Sequence, residues 1–263
     1  MTPIRRYAAL GSSMAAGPGI TPRVPGSPRP AGRSERNYPH LVAEALGAEL
    51  TDVTFSGATT ENLLSRKQFG APPQLEVLDE STDLVTITIG GNDVGYVPMM
   101  IAALTPGLLH RLPGVGAGLT GLLDPARREL ALAAAGPALR AVGTAARDAA
   151  PNARIVFVDY LTLLPPAGQP ARPLSERNAE LARHVAARLA EITASAATDT
   201  GCELVSAAAA SVDHHAWSPD PWTAGPGLSV PLLLGRAPLT FHPNAAGMRA
   251  VADLVLDHLG ADR

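Results

Sequence analysis

Apolar positions along this chain fall into short runs, separated by longer stretches in which they recur every three or four residues. The runs at residues 7–10, 50–55, 84–89, 155–158 and 204–206 predict strands. Helices are predicted over 38–46, 60–66, 125–149 and 175–198, with a closing helix over 243–259. Ser175 can cap its helix, while Leu181, Val185, Leu189 and Ile192 form one apolar stripe along it. Met248, Val251, Val255 and Leu259 do the same for the closing helix. Asp124-Pro125 reads as a cap followed by proline in the first turn, and Gly136-Pro137 predicts a kink or split further along. Strands alternating with helices imply right-handed crossovers and a parallel sheet covered on both faces.

Two stretches break the alternation. Residues 17–36 are rich in Pro, Gly and Arg and read as a long surface loop, with Arg23, Arg29, Arg33 and Arg36 either keeping it soluble or bordering a site for anionic substrates. Residues 96–123 are apolar but too interrupted by Gly and Pro for one helix. They read as an insertion after the third strand, and such insertions often cover sites. Neither stretch suggests a second domain, so residues 1–263 are expected to form one unit.

Ligands of an open parallel sheet bind beyond the carboxyl ends of its strands. Three loops leave those ends: Ser13 follows the first strand, Gly57 the second, and Gly90-Gly91-Asn92-Asp93 the third. His242 stands just before the closing helix. A hydroxyl at a strand-to-helix turn and an imidazole near a helix start suggest a serine nucleophile and its base, provided the fold brings them together. Each residue alone has a plainer reading: Ser13 as a helix cap, Gly57 as a tight turn, Asn92 as a turn former, Asp93 as a cap of the following segment, His242 as an N-cap. Their convergence on one sheet edge favours chemistry.

In order and spacing these residues resemble the four blocks of the SGNH hydrolases, the GDSL esterase and lipase superfamily. Ser13, Gly57, Asn92 within Gly-Gly-Asn-Asp, and His242 within His-Pro-Asn take the four named places. The resemblance implies a three-layer α/β/α sandwich with a flavodoxin-like, five-stranded parallel sheet. It also implies a serine hydrolase cleaving carboxylic esters through an acyl-enzyme on Ser13, with His242 as general base. The oxyanion hole would come from the N–H groups of Ser13 and Gly57 and the side chain of Asn92. No cofactor or metal is expected.

Two positions depart from that pattern. Ser12 replaces the aspartate of the first block, which suggests altered loop hydrogen bonding and makes Ser12 a rival nucleophile to Ser13. Leu239 stands where the last block has an aspartate three residues before its histidine. The Leu239 carbonyl is the expected partner of the imidazole, with Asp213 and Asp220 as alternatives from the preceding loop.

The remaining chemistry-bearing residues read as structural. His214 and His215 lack further ligands for a metal, His40, His110, His184 and His258 read as solvated, and Cys202 packs as a small apolar side chain. Trp217 and Trp222 flank Asp220-Pro221 and either wall an acyl pocket or pack the loop.

Composition narrows the picture. Hydrophobic residues make up 46% of the 263 residues and charged residues 17%, a globular balance. A net charge of −3 offers no footprint for nucleic acid. No apolar run is long enough to span a bilayer. A lone cysteine forms no internal disulfide. The start has no apolar signal segment, which reads as cytoplasmic unless a leader has been trimmed away, in which case the protein is secreted. The partner expected is a small-molecule ester. An apolar insertion over 96–123 favours medium acyl chains over acetyl. Competing readings are a catalytically silent ligand-binding module on the same fold, a carbohydrate deacetylase or a thioesterase. An α/β-hydrolase fits less well, because Gly11-Ser12-Ser13-Met14-Ala15 lacks the closing glycine of that elbow.

Overall fold

The computed structural model describes residues 3–227 and 237–261; the other residues of the expected 1–263 unit lie outside it. Five strands, β1 (Arg6–Gly11), β2 (Glu49–Asp52), β3 (Leu84–Thr88), β4 (Arg154–Val158) and β5 (Glu203–Val205), pair in parallel in the order β2-β1-β3-β4-β5. This is the flavodoxin-like order, and its direction reverses at β1 and β3. The strand termini that flank this switch point carry the candidate residues.

Alternation along the strands builds two cores. Ala8, Leu10, Val85, Ile87, Ile155 and Phe157 face one side of the sheet. Their neighbours Tyr7, Ala9, Leu84, Val156 and Val158 face the other. The first side is covered by α3 (Thr60–Leu64), α4 (Tyr96–Leu104), α6 (Pro125–Ala149) and α7 (Glu176–Asp199). The second is covered by α2 (Tyr38–Leu46) and the closing helix α9 (Ala245–Leu259), which pack against each other. Three shorter helices are also found among the described residues: α1 (Ser13–Ala16), α5 (Val115–Leu122) and α8 (Ala207–Ala210).

The caps follow the sequence signals. Ser175 accepts a hydrogen bond from the Asn178 N–H and Asp124 from the Ala126 N–H. Strand β2 ends at Asp52 rather than at residue 55, although the N–H groups of Val53 and Phe55 still reach the carbonyls of Ala9 and Gly11. Gly136-Pro137 neither splits nor ends α6, which is one helix from Pro125 to Ala149. Pro137 lies on the exposed face, where water can serve the carbonyl its missing N–H releases, while Leu132, Ala135 and Leu139 stay packed in the core.

The stretch 96–123 is broken as expected, into α4, a 3₁₀ turn at Leu109–Arg111, and α5. The loop over 17–36 is not a loose tether. The Ser34 N–H bonds to the Ala16 carbonyl, Ser56 reaches the Ala31 carbonyl, and Arg33 donates to the Thr54 carbonyl at 2.7 Å. Arg33 is thereby a strut between loops. The other histidines also find partners: His40 with Asn37, His110 with the Ala102 carbonyl, His184 with Glu129 and His258 with Glu203. Cys202 packs half-buried against the larger core.

Candidate active site

The turn from β1 into α1 places the first hydroxyl. Gly11 has φ +145°, and a Cβ there would stand 2.4 Å from the Thr88 carbonyl oxygen, so only glycine lets β1 run this close to β3 at its end. The Ser12 N–H donates to that same Thr88 carbonyl at 2.9 Å. Gln74, buried, grips both peptide groups of Gly11, accepting from its N–H at 2.7 Å and donating to its carbonyl at 3.0 Å. Ser13 then opens α1 with its side chain buried.

The imidazole comes from the far end of the chain. The Phe241 N–H donates to the Ala224 carbonyl and the Ala224 N–H to the His242 carbonyl, pinning 241–243 antiparallel against 222–224. Asn244 caps α9 through the Gly247 N–H and holds the Pro221 carbonyl with its amide. A Cβ at Gly247 would lie 2.1 Å from the Trp222 carbonyl oxygen, so glycine permits α9 to meet this loop. The result is a 2.8 Å contact between Ser13 Oγ and His242 Nε2, across 229 residues of sequence. Both side chains are buried.

The group behind the imidazole is a carbonyl, but not that of Leu239. His242 Nδ1 lies 3.0 Å from the Thr240 carbonyl, whereas the Leu239 carbonyl accepts the backbone N–H of His242. Phe241, buried at φ +61°, turns the backbone so that the carbonyl two residues before the ring faces it. A carbonyl only accepts, so Nδ1 carries the proton and Nε2 is free to accept from the Ser13 hydroxyl. Asp213 and Asp220 do not take this role: Asp220 pairs with His214, and Asp213 stays on the exposed surface. Burial pulls the His242 pKa below the ordinary imidazole value, and the Thr240 carbonyl opposes that fall. Burial thus favours the neutral ring, the form that can accept a proton.

Gly57 and Asn92 stand at the ends of the neighbouring strands. Gly57 is left-handed at φ +79°. Asn92 spends one amide N–H on the Ala58 carbonyl at 2.8 Å, which ties its orientation to the loop that carries Gly57. Asp93 caps α3 rather than the segment that follows it, accepting from the Thr60 N–H and hydroxyl. Desolvation nonetheless holds its pKa above the usual carboxylate value. Among the described residues, the N–H groups of Ser13 and Gly57 have no protein acceptor.

Ser12 points away from His242. Its hydroxyl meets the Tyr160 hydroxyl at 3.2 Å, and that oxygen accepts the Gly91 N–H at 2.9 Å. A Cβ on Gly91 would stand 2.8 Å from the Tyr160 ring, so the loop before Asn92 is seated directly on this tyrosine. Tyr160 thus links the Ser13 loop to the Asn92 loop, and sequence reasoning overlooked it as it overlooked Gln74 and Thr240. Tyr160→Phe leaves a buried N–H unpaired and loosens both loops. We expect kcat to fall about tenfold with KM little changed, less than the roughly 10²-fold that a misplacement of about 1 Å can cost. Steady-state kinetics beside a thermal melt will check this, and an unchanged kcat would count against the linkage.

Beside His242 opens a groove of about 780 Å³. Ile101, Leu104, Pro106, Pro173 and Leu239 line it. Trp217 and Trp222 are not among the described residues that line it; both pack loops. Trp217 donates to the Arg172 carbonyl and stacks on Phe241, and Trp222 stacks on His214 with ring centroids 3.9 Å apart. Among the described residues no three His, Cys, Asp or Glu side chains cluster to hold a metal ion.

A doubly wound sheet with a serine, an imidazole and an asparagine at its switch point is the arrangement that the resemblance to the SGNH hydrolases implied. The profile of the GDSL-like lipase/acylhydrolase family matches residues 9–250, and the chain belongs to that family. Lipase 2 of Streptomyces coelicolor is 34% identical over 99% of this chain and 88% of its own length. The solved extracellular lipase of Streptomyces rimosus superposes with a TM-score of 0.76 at 27% identity, over 97% of this chain and 99% of that one. The phospholipase A1 of Streptomyces albidoflavus gives a TM-score of 0.75 at 25% identity, over 98% of this chain and all of its own. The chain is thus an ester hydrolase of the GDSL type. A cytoplasmic setting finds no support among these relatives, one of which is described as extracellular. Among the described residues, no helix is long and apolar enough to cross a membrane.

Proposed function

We propose that this protein hydrolyses carboxylic esters of medium-chain acyl groups through an acyl-enzyme on Ser13, with His242 as general base. The observation that carries the reading is the 2.8 Å contact between Ser13 Oγ and His242 Nε2, with a carbonyl fixing the opposite ring nitrogen. In this reading the neutral imidazole takes the Ser13 proton as Oγ attacks the ester carbonyl. It then returns that proton to the leaving alkoxide. Water repeats the sequence on the acyl-enzyme and releases the acid. The free N–H groups of Ser13 and Gly57 and the second amide N–H of Asn92 receive the oxyanion. The whole chain serves as one domain with 96–123 as its insertion, and an extracellular setting follows the Streptomyces rimosus relative.

The apolar groove beside His242 suits a hydrocarbon chain better than a sugar, which sets this reading above a carbohydrate deacetylase. Each buried methylene contributes up to about 0.8 kcal/mol, or about fourfold in rate. Across a series of p-nitrophenyl esters from acetyl to palmitoyl, kcat/KM is expected to peak near octanoyl, at least about tenfold above acetyl. A maximum at acetyl would sink the acyl-groove reading.

The acid limb of the rate follows from the burial of His242. The base works only when neutral, so kcat/KM falls as pH drops through the imidazole pKa. Because burial lowers that pKa, the inflection belongs below about 6.5, the ordinary value for histidine. A pH profile on a soluble, uncharged ester will show it, and an inflection above neutrality contradicts the assignment.

A further inference from the structure

Nine large hydrophobic side chains are notably exposed among the described residues, and six of them are Ile101, Leu108, Leu109, Leu112, Val115 and Leu239. Five belong to the segment built of α4, the 3₁₀ turn and α5. Leu108 is 73% exposed and Val115 55%, values that a monomer in water has no reason to gather in one place. Ile101 and Leu239 also line the groove beside His242, so two of the exposed apolar side chains stand at its rim, and α4, which carries Ile101, packs against α5. From Asp93 to Asp124 the chain carries no intervening carboxylate and a single formal charge, Arg111.

We infer that the face formed by Leu108, Leu109, Leu112 and Val115 docks on the surface of aggregated lipid and feeds acyl chains from that surface into the groove. This rests on the ester reading for its purpose but not for its binding. The face adjoins the groove through α4, which packs against α5 and carries Ile101 and Leu104, so a folded partner or a second copy seated there would crowd the approach to His242. A lipid surface instead presents the substrate there, and its phosphates meet no carboxylate of the segment. Leucine and valine side chains raised on a short helix and turn reach only the headgroup and upper acyl region, which is attachment without spanning.

The test uses the full chain carrying Ser13→Ala, so that no lipid is consumed, and vesicles of phosphatidylcholine. The protein is expected to float with the vesicles, and Leu108→Ser with Leu112→Ser and Val115→Ser to weaken that partition at least about tenfold. Leu130→Ser with Val212→Ser, which removes exposed apolar groups elsewhere, is expected to leave it unchanged. A Leu108→Trp probe should shift its emission to the blue on adding vesicles; this reports contact even if the triple variant fails to fold. In the active protein, the triple substitution should leave turnover of a soluble short ester within twofold and cut turnover of a vesicle-borne ester at least about tenfold. Equal partition of the triple variant, no blue shift, or a dimer that the triple substitution dissolves would overturn the proposal. Vesicle binding without turnover of any ester would instead overturn the ester reading and leave the docking face standing.

Discussion

Ser13→Ala is expected to lower kcat/KM on any ester by at least about 10³-fold, the scale on which removal of a serine nucleophile acts. The reason is local. Among the described residues the Ser13 hydroxyl has one protein partner, His242 Nε2, and caps no helix, so its removal deletes the reacting atom with little structural cost. The thermal midpoint should therefore move little. A fluorophosphonate probe should label the parent protein at Ser13 and fail to label the variant. Ser12→Ala is the contrasting control: its hydroxyl meets Tyr160 instead of an imidazole, and labelling should persist. Retained turnover in Ser13→Ala, or a label found on Ser12, would end the proposed mechanism.

Asn92→Ala ranks second, with an expected loss of about 10²–10³-fold in kcat, the usual cost of removing one oxyanion donor. One amide N–H of Asn92 is already given to the Ala58 carbonyl, so the substitution also costs about 1 kcal/mol of stability. The two effects separate in the kinetics. A donor that acts on the developing charge lowers kcat with KM nearly constant, whereas a loosened loop lowers the melting temperature and shifts both constants. A fall in kcat of less than about tenfold would remove Asn92 from the oxyanion hole and leave it as a loop tie.

These two variants probe residues that motif and periodicity had already singled out. The strands are legible because β1, β3 and β4 are buried on both faces and read as short runs of apolar residues, broken in β3 only by Thr86 and Thr88, and the helices because their stripes repeat at helical spacing. The exception is instructive. Gly136-Pro137 is a strong local break signal, yet α6 runs through it because Leu132, Ala135 and Leu139 are packed in the core on the opposite side from Pro137. Tertiary packing outweighs the loss of one hydrogen bond that water can replace.

Around the candidate site the limit is different. Ser13, Gly57, Asn92 and His242 carry their signal in short motifs, so their positions are readable without coordinates. The groups that aim them carry none. The Thr240 carbonyl faces the imidazole only because Phe241 adopts a left-handed backbone, which no residue type announces. Gln74 grips Gly11 across 63 residues, and Tyr160 joins Ser12 to Gly91 from the end of β4. A lone glutamine and a lone tyrosine look the same in sequence whether they face solvent or a buried peptide group.

What the amino-acid sequence determined by itself is the alternation of elements, the sheet with two covered faces and the four block residues. The elements and the sheet follow from periodicity and turn chemistry, and the four residues from short motifs read through the family resemblance, all of them local properties. The tertiary structure alone decided which carbonyl holds the imidazole, which hydroxyl meets it, and which apolar side chains stay in water beside the groove. Those depend on distances between segments up to 229 residues apart, and such distances exist only once the sheet has been wound.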